Sequence, residues 1–233
     1  MITSPHANTG SIDYFQLRNP LTKLKSIISN KARKKMYRHF IDLIKPTEKC
    51  KVLDMGVTPN TSLIESNFFE KMYPFTHNIT MSSIEDASNL EEIFKGAIFI
   101  KCTANEKFPF NDKQFDIMFC SAVLEHVGDD DEQRYFIKEC LRVAKKIYLT
   151  TPNKYFPVEF HTYLPFIHFL PQRIHQKILR KLKLDFWAET RNLNLMTRKN
   201  LYAMIPDKLR NKAMIYYNRL FGIPANIILF VDE

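Results

Sequence analysis

Lys51-Val52-Leu53-Asp54-Met55-Gly56-Val57-Thr58-Pro59-Asn60 is the stretch on which the fold is decided. An apolar run with β-branched residues ends there in an acid and a glycine, then passes into turn formers. This predicts a buried strand, Lys51 to Asp54, running into a sharp turn. Such a turn at the carboxyl end of a parallel strand is where open α/β sheets bind ligands. Asp54 is placed to hold a polar head group, and Gly56, lacking a Cβ, lets the backbone approach it.

Downstream, apolar runs alternate with helical patterns. Leu63, Ile64, Phe68, Phe69 and Met72 fit a short helix between Thr61 and Tyr73, with backbone N–H groups near the Gly56 turn. Asn78 to Ile84 is a second strand ending at Glu85-Asp86, and Ala87 to Phe94 a helix whose first turn both acids would suit. Ala97 to Cys102, Phe115 to Ser121 and Lys146 to Thr151 are the third, fourth and fifth strands. Asp129-Asp130-Asp131-Glu132 opens a helix that ends in Arg142, Lys145 and Lys146, acids first and bases last, in line with the helix dipole. Ala213 to Phe221 and Ala225 to Val231 are two strands separated by Gly222-Ile223-Pro224, a hairpin signal.

The run Phe108-Pro109-Phe110-Asn111-Asp112-Lys113-Gln114-Phe115-Asp116-Ile117-Met118-Phe119-Cys120-Ser121-Ala122-Val123-Leu124-Glu125-His126-Val127 resembles the fourth-strand region of class I S-adenosylmethionine (SAM)-dependent methyltransferases, of the type 11-like group. The opening stretch resembles that family's first motif, with its usual Asp-x-Gly-x-Gly-x-Gly present as Asp54, Gly56, Thr58 and Asn60. Leu149-Thr150-Thr151-Pro152-Asn153 and then Phe156-Pro157-Val158-Glu159-Phe160-His161 are similar to a bacterial branch with a glycine-poor first motif. The resemblance spans about residues 50 to 170. It implies an α/β fold: a Rossmann-like, doubly wound, seven-stranded sheet, mostly parallel, closed by a C-terminal antiparallel hairpin.

It also implies SAM as cofactor and a set of residues around it. Asp54, Gly56 and Thr58 belong to the first motif. Glu85, with Asp86 beside it, stands where the family has a carboxylate that accepts from the ribose hydroxyls. Thr103 and Ala104, with Asn105, stand where an acid usually meets the adenine amino group, and that acid is absent. Ser121 and Ala122 border the cofactor by backbone, followed by Leu124.

The methyl of SAM is already activated, so the protein must exclude water, align the acceptor and, for a hydroxyl, remove a proton. His126 and His161 are the candidate bases, titrating near neutral pH, with Glu159 as orienting partner. Asn153 and Tyr155 are candidates for touching substrate. The reaction requires no metal, and the unpaired spacing of Cys50, Cys102, Cys120 and Cys140 argues for reduced core thiols over a zinc site. By analogy with the branch, the acceptor is a small molecule, a saccharide or a lipid-linked intermediate. The altered first motif and neutral Thr103 keep a second reading open, a non-catalytic SAM-binding or interaction domain. An NAD(P) enzyme lacks its Gly-x-Gly-x-x-Gly turn, and the base-modifying Asn/Asp-Pro-Pro-Tyr/Phe sequence is missing.

The chain of 233 residues divides at about residue 45. Residues 1–45 are a polar, turn-rich arm to about residue 19, then an amphipathic helix. The helix carries Leu21, Leu24, Ile28, Ala32, Met36, Phe40 and Ile44 on one face, with a break expected near Ser29-Asn30. Residues 46–233 form the methyltransferase-like domain, with an aromatic and basic lid inserted at about 153–192. Within the lid, Arg173 to Trp187 has a helical pattern that groups Ile174, Ile178, Leu179 and Leu182 as the apolar face. The net charge of +9 is uneven, with 11 Lys/Arg to 3 acids over 1–51, 11 to 17 over 52–169, and 12 to 3 over 170–220. The basic flanks suit either solubility or an anionic partner, and residues 155–187 could lie on an anionic membrane or simply cover a pocket. With neither a secretory-type start nor an apolar run of membrane-spanning length, the expected location is the cytoplasm, with the inner membrane face as the alternative.

Overall fold

A computed structural model describes residues 20–61 and 66–233, with side chains of the first helix from Ile28 onward. The arm expected over residues 1–19, and Leu63 and Ile64 of the expected helix, lie outside them. The strands β1 (Val52–Met55), β2 (Ile79–Ser83), β3 (Ile98–Lys101), β4 (Phe115–Ser121), β5 (Ala144–Pro152), β6 (Ala213–Leu220) and β7 (Ile223–Asp232) form one sheet in the order β3-β2-β1-β4-β5-β7-β6. Strands β1 to β5 pair in parallel, whereas β7 runs antiparallel to both β5 and β6. This is the Rossmann-like, doubly wound methyltransferase architecture, closed by an antiparallel hairpin.

Burial on both faces explains why β4 reads as continuous apolar sequence. Its residues alternate between two cores: Ile117 and Phe119 into one, Met118 and Cys120 into the other. The first core is covered by α1 (Pro20–Ile44), α2 (Phe68–Met72) and α3 (Leu90–Ile93). There Phe40 stands edge-on to Phe69, Phe119 and Tyr148, with ring centroids 5.3, 5.4 and 5.3 Å away. The second core lies under α4 (Asp130–Val143) and α6 (Arg198–Met204), where Ile137, Leu141 and Leu201 meet Leu149 and Leu229. Asp129 caps α4 with a full capping box, its side chain accepting from the Glu132 backbone while Glu132 reaches back to the Asp129 N–H.

Several boundaries depart from the sequence reading. The break expected near Ser29-Asn30 is absent, and α1 runs unbroken for 25 residues. Ala32, Met36, Phe40 and Ile44 bury against the sheet, and that stripe outweighs the weak helix propensity of Ser and Asn. The Tyr148 hydroxyl donates to Met36 O (2.9 Å), fixing the helix at mid-length. Among the described residues, the helix expected over Thr61–Tyr73 is a single turn, α2, and the one expected over Ala87–Phe94 is a single turn, α3. In the hairpin, Ile223 and Pro224 belong to β7, and the turn is Phe221-Gly222, both at positive φ (50° and 82°). Two left-handed residues match the twist of tight hairpins, which Gly222-Ile223-Pro224 could not supply.

The lid helix α5 (Gln172–Lys181) is shorter than the expected Arg173–Trp187, and of the expected apolar face only Leu179 is fully buried, with His175 beside it. His175 and Leu179 face inward, while Ile174 (48%) and Leu182 (51%) are exposed. Two members of the expected apolar stripe, Ile174 and Leu182, thus face solvent, while Leu179 packs onto the body of the protein.

Candidate functional site

A cavity of about 710 Å³ opens at the carboxyl ends of β1 and β4, the point where strand order reverses. Asp54, Gly56 and Thr58 line it from β1 and its turn, and Ser121 and Ala122 from the end of β4. Ile28, Ala32, Arg33 and Met36 of α1 form another wall. Phe156, Phe160, His161 and Tyr163 of the lid, and Phe221 of the hairpin turn, complete it.

Gly56 sits at φ 103°, and a Cβ there would stand 2.1 Å from Val123 Cγ2. The sequence suggested that this glycine makes room for a ligand. The room is taken by Val123, which locks the first turn to the loop after β4. Ala122 beside it is held at φ 58°, a left-handed conformation uncommon for alanine, on the cavity wall. Where the glycine-rich motif would rely on glycine backbone, this chain uses a side-chain clamp. Asn67 accepts from Thr58 N (3.0 Å) through Oδ1 and donates to Thr58 O (2.8 Å) through Nδ2.

Behind the first turn, Asp54 meets Glu70 of α2, and both are buried. Among the described residues, no N–H or O–H of another residue reaches either carboxyl oxygen of Glu70. The two carboxyls can bond to each other only if one is protonated. Burial, then the Glu70 charge, pushes the Asp54 carboxyl well above the usual range, and burial raises Glu70 also. The pair therefore favours any cation that reaches Asp54 from the cavity.

On the lid side, His161 Nδ1 bonds Glu159 Oε1 at 2.6 Å. Glu159 accepts further from His161 N, Thr162 N and Thr162 Oγ1 (2.9, 2.6 and 2.8 Å). Burial alone would raise this carboxyl, but the His161 hydrogen bond and charge, with the two backbone N–H groups, bring it down to about 2. Burial likewise disfavours the imidazolium of His161, yet Glu159 overcomes it and the net shift is upward. His126 packs edge-on against His161 at 4.7 Å between ring centroids, and the Trp187 ring lies 4.9 Å from that of His161.

The remaining sequence candidates fall elsewhere. Glu85 and Asp86 are exposed beyond the end of β2, and Thr103 and Ala104 beyond β3, none of them lining the cavity. Leu124 is buried in the second core. Asn153 is buried, donating to Pro224 O (2.9 Å), and Tyr155 stands 61% exposed. His126, which is exposed, and Glu159, which is buried, both contact His161 but do not line the cavity. Asn67, Glu70 and Val123 carry no signal of a site in the sequence, although Glu70 is an acid set inside the apolar pattern Phe68, Phe69, Met72.

The family described as "Methyltransferase domain" matches residues 68–147, from α2 into β5. No curated protein matches the sequence. Among solved structures, a protein from Pyrococcus horikoshii OT3 is similar at 14% identity and TM-score 0.55, covering 95% of each chain. The magnesium protoporphyrin IX methyltransferase ChlM of Synechocystis PCC 6803, with bound SAH, is similar at 15% identity and TM-score 0.52, over 92% of this chain and 88% of that one. Sheet order, switch-point cavity and family match together define a class I SAM-dependent methyltransferase fold.

Proposed function

We propose that this protein is a SAM-dependent methyltransferase whose acceptor, a small molecule, saccharide or lipid-linked intermediate, has an apolar portion. The observation that carries the reading is the single cavity running from the Asp54 turn to the aromatic lid, which gives cofactor and acceptor a common space. The residues suit the cofactor. SAM has an ammonium and a sulfonium, and the buried Asp54–Glu70 pair, in which no donor of another described residue reaches Glu70, favours a cation at Asp54. Asp54, Gly56 and Thr58 would hold its amino-acid end, with Ser121 and Ala122 bordering it and Glu85 at the exposed rim. When bound, SAM supplies an activated methyl group. The chain's part is to exclude water under Phe156, Phe160 and Tyr163, to align the acceptor, and to take an acceptor proton at His161, whose ring Glu159 orients.

Within the acceptor classes, the outer lid surface supports a lipid-linked one. Exposed Tyr155, Phe166 and Phe169 meet ring to ring, beside exposed Arg173 and Lys177 of α5. The opposing reading, a non-catalytic domain, draws on the exposure of Glu85, Asp86, Thr103 and Ala104 outside the cavity.

Calorimetric titration of SAM and of S-adenosylhomocysteine into the purified chain, with Asp54→Asn alongside, tests the cofactor reading. Micromolar binding that Asp54→Asn weakens supports it and justifies an acceptor screen with methyl release as readout. No binding of either ligand at millimolar concentration would overturn it.

A further inference from the structure

Glu125, His126 and His161 come together across the gap between the loop after β4 and the lid. One donor atom from each lies within 4.8 Å of the other two. The Nδ1 of His126 is 2.7 Å from Asn192 O, and that of His161 is 2.6 Å from Glu159 Oε1. Both partners only accept, so both Nδ1 atoms carry the proton and each neutral ring presents its Nε2 lone pair. A ring N–H given to a carbonyl or a carboxylate is how metal-binding histidines are oriented.

Glu125 provides the third donor. It is fully buried, its Oε2 accepts from Thr151 Oγ1 (3.0 Å), and its Oε1 has no hydrogen-bond partner. A carboxylate oxygen left buried without a partner loses its hydration uncompensated, so its retention beside two imidazoles calls for a ligand. Glu125 and His161 both line the cavity, and the Trp187 ring centroid lies 6.1 Å from that of His126 and 4.9 Å from that of His161.

We infer that Glu125, His126 and His161 bind one divalent transition-metal ion of the zinc type, with a coordination position open to the cavity. Two imidazoles, one carboxylate and an open position suit zinc in a working site, not a closed structural one. Donor atoms around tetrahedral zinc stand about 3.3 Å apart at Zn–N of ~2.0–2.1 Å, so small side-chain rotations close the cluster. The cysteine spacing that argued against a metal does not bear on this site, which contains no cysteine. On the methyltransferase reading, the open position would hold an oxygen of the acceptor and polarise it, which replaces proton removal by His161, since the metal would occupy the His161 Nε2.

The test uses the full chain, free of any histidine tag and stripped with a chelator. Titrated with Co²⁺, it should take up one equivalent with visible ligand-field bands of four- or five-coordinate cobalt, and Zn²⁺ should displace them. His126→Ala and His161→Ala should each weaken Co²⁺ binding at least about 100-fold. Glu159→Gln, which only orients His161, should weaken it about 10–100-fold. His168→Ala and His175→Ala should leave it unchanged. Circular dichroism separates lost binding from lost fold, and His126→Gln, at the exposed member of the cluster, serves if the His161 variant fails to fold. No uptake by the stripped wild-type chain, or uptake unaltered by the His126 and His161 variants, would overturn the inference. S-adenosylhomocysteine titration of the metal-free chain reads the cofactor separately, so either proposal can fail alone.

Discussion

The two sides of the switch point are built differently. On the β1–β4 side the wall is enclosed and over-determined, with Gly56 pressed by Val123, Thr58 clamped by Asn67, and Asp54 buried against Glu70. On the β2–β3 side, Glu85, Asp86, Thr103 and Ala104 stand exposed. If the protein binds SAM, its affinity should come mainly from the amino-acid end, and the nucleoside end should contribute little.

The largest effect is expected at Gly56. Gly56→Ala drives a Cβ into Val123 and forces alanine to positive φ, costing about 2–4 kcal/mol from overpacking and left-handed strain together. In a chain of 233 residues that lowers Tm by roughly 5–15 °C in a thermal melt. Adding Val123→Ala should recover the overpacking part and leave the strain. Full recovery would mean that φ does not matter there, and no recovery that Val123 is not the obstacle.

Next is Asp54→Asn, which keeps the shape and removes the charge. Losing one charged hydrogen bond of about 1.5–3 kcal/mol predicts roughly 10- to 100-fold weaker binding of S-adenosylhomocysteine by calorimetry. An unchanged affinity would break the contrast between the two sides.

The acid pair gives a smaller effect with a definite sign. Asp54 and Glu70 both titrate higher in the folded chain than unfolded, so their contribution to stability is present at low pH and fades as pH rises above about 4 toward their folded values. Glu70→Gln removes that loss. The variant should melt above wild type at pH 8, by roughly 2–4 °C if about 1 kcal/mol is relieved, with the gap closing toward pH 4.5. Glu159, held at about 2, acts in the opposite direction and loses stability only on acidification below about 4.5, in both proteins alike. A gap that does not depend on pH would show that the pair is not the cause.

How much of this was legible varies with what fixes each element. The strands were, because β1, β4 and β5 are buried on both faces and so apolar throughout, with turn formers at their ends. Asp54, Gly56, Ser121 and Ala122 follow from being at the carboxyl ends of those strands. What could not be read depends on contacts between distant residues. Asn67 reaches Thr58, Val123 fills the space at Gly56, and Glu125 meets His161 only once the lid has folded back over the loop after β4. The lid helix was misread for a related reason: periodicity finds an apolar stripe but does not say whether it faces the core, and here Ile174 and Leu182 face out.

The smallest predicted effect is at Glu85. The residue follows β2, where a carboxylate could still swing to ribose hydroxyls, but it is exposed and the cavity wall does not include it. A hydrogen bond made there competes with water on both partners and nets about 0.5–1.5 kcal/mol. Glu85→Ala should therefore weaken S-adenosylhomocysteine by roughly 2- to 10-fold, less than Asp54→Asn does. Raising salt should change the Asp54 effect less than the Glu85 effect, because buried charges are screened less. Should Glu85→Ala cost as much as Asp54→Asn, the rim must close on the ligand. The nucleoside side would then be built by binding, whereas the other side is built by folding.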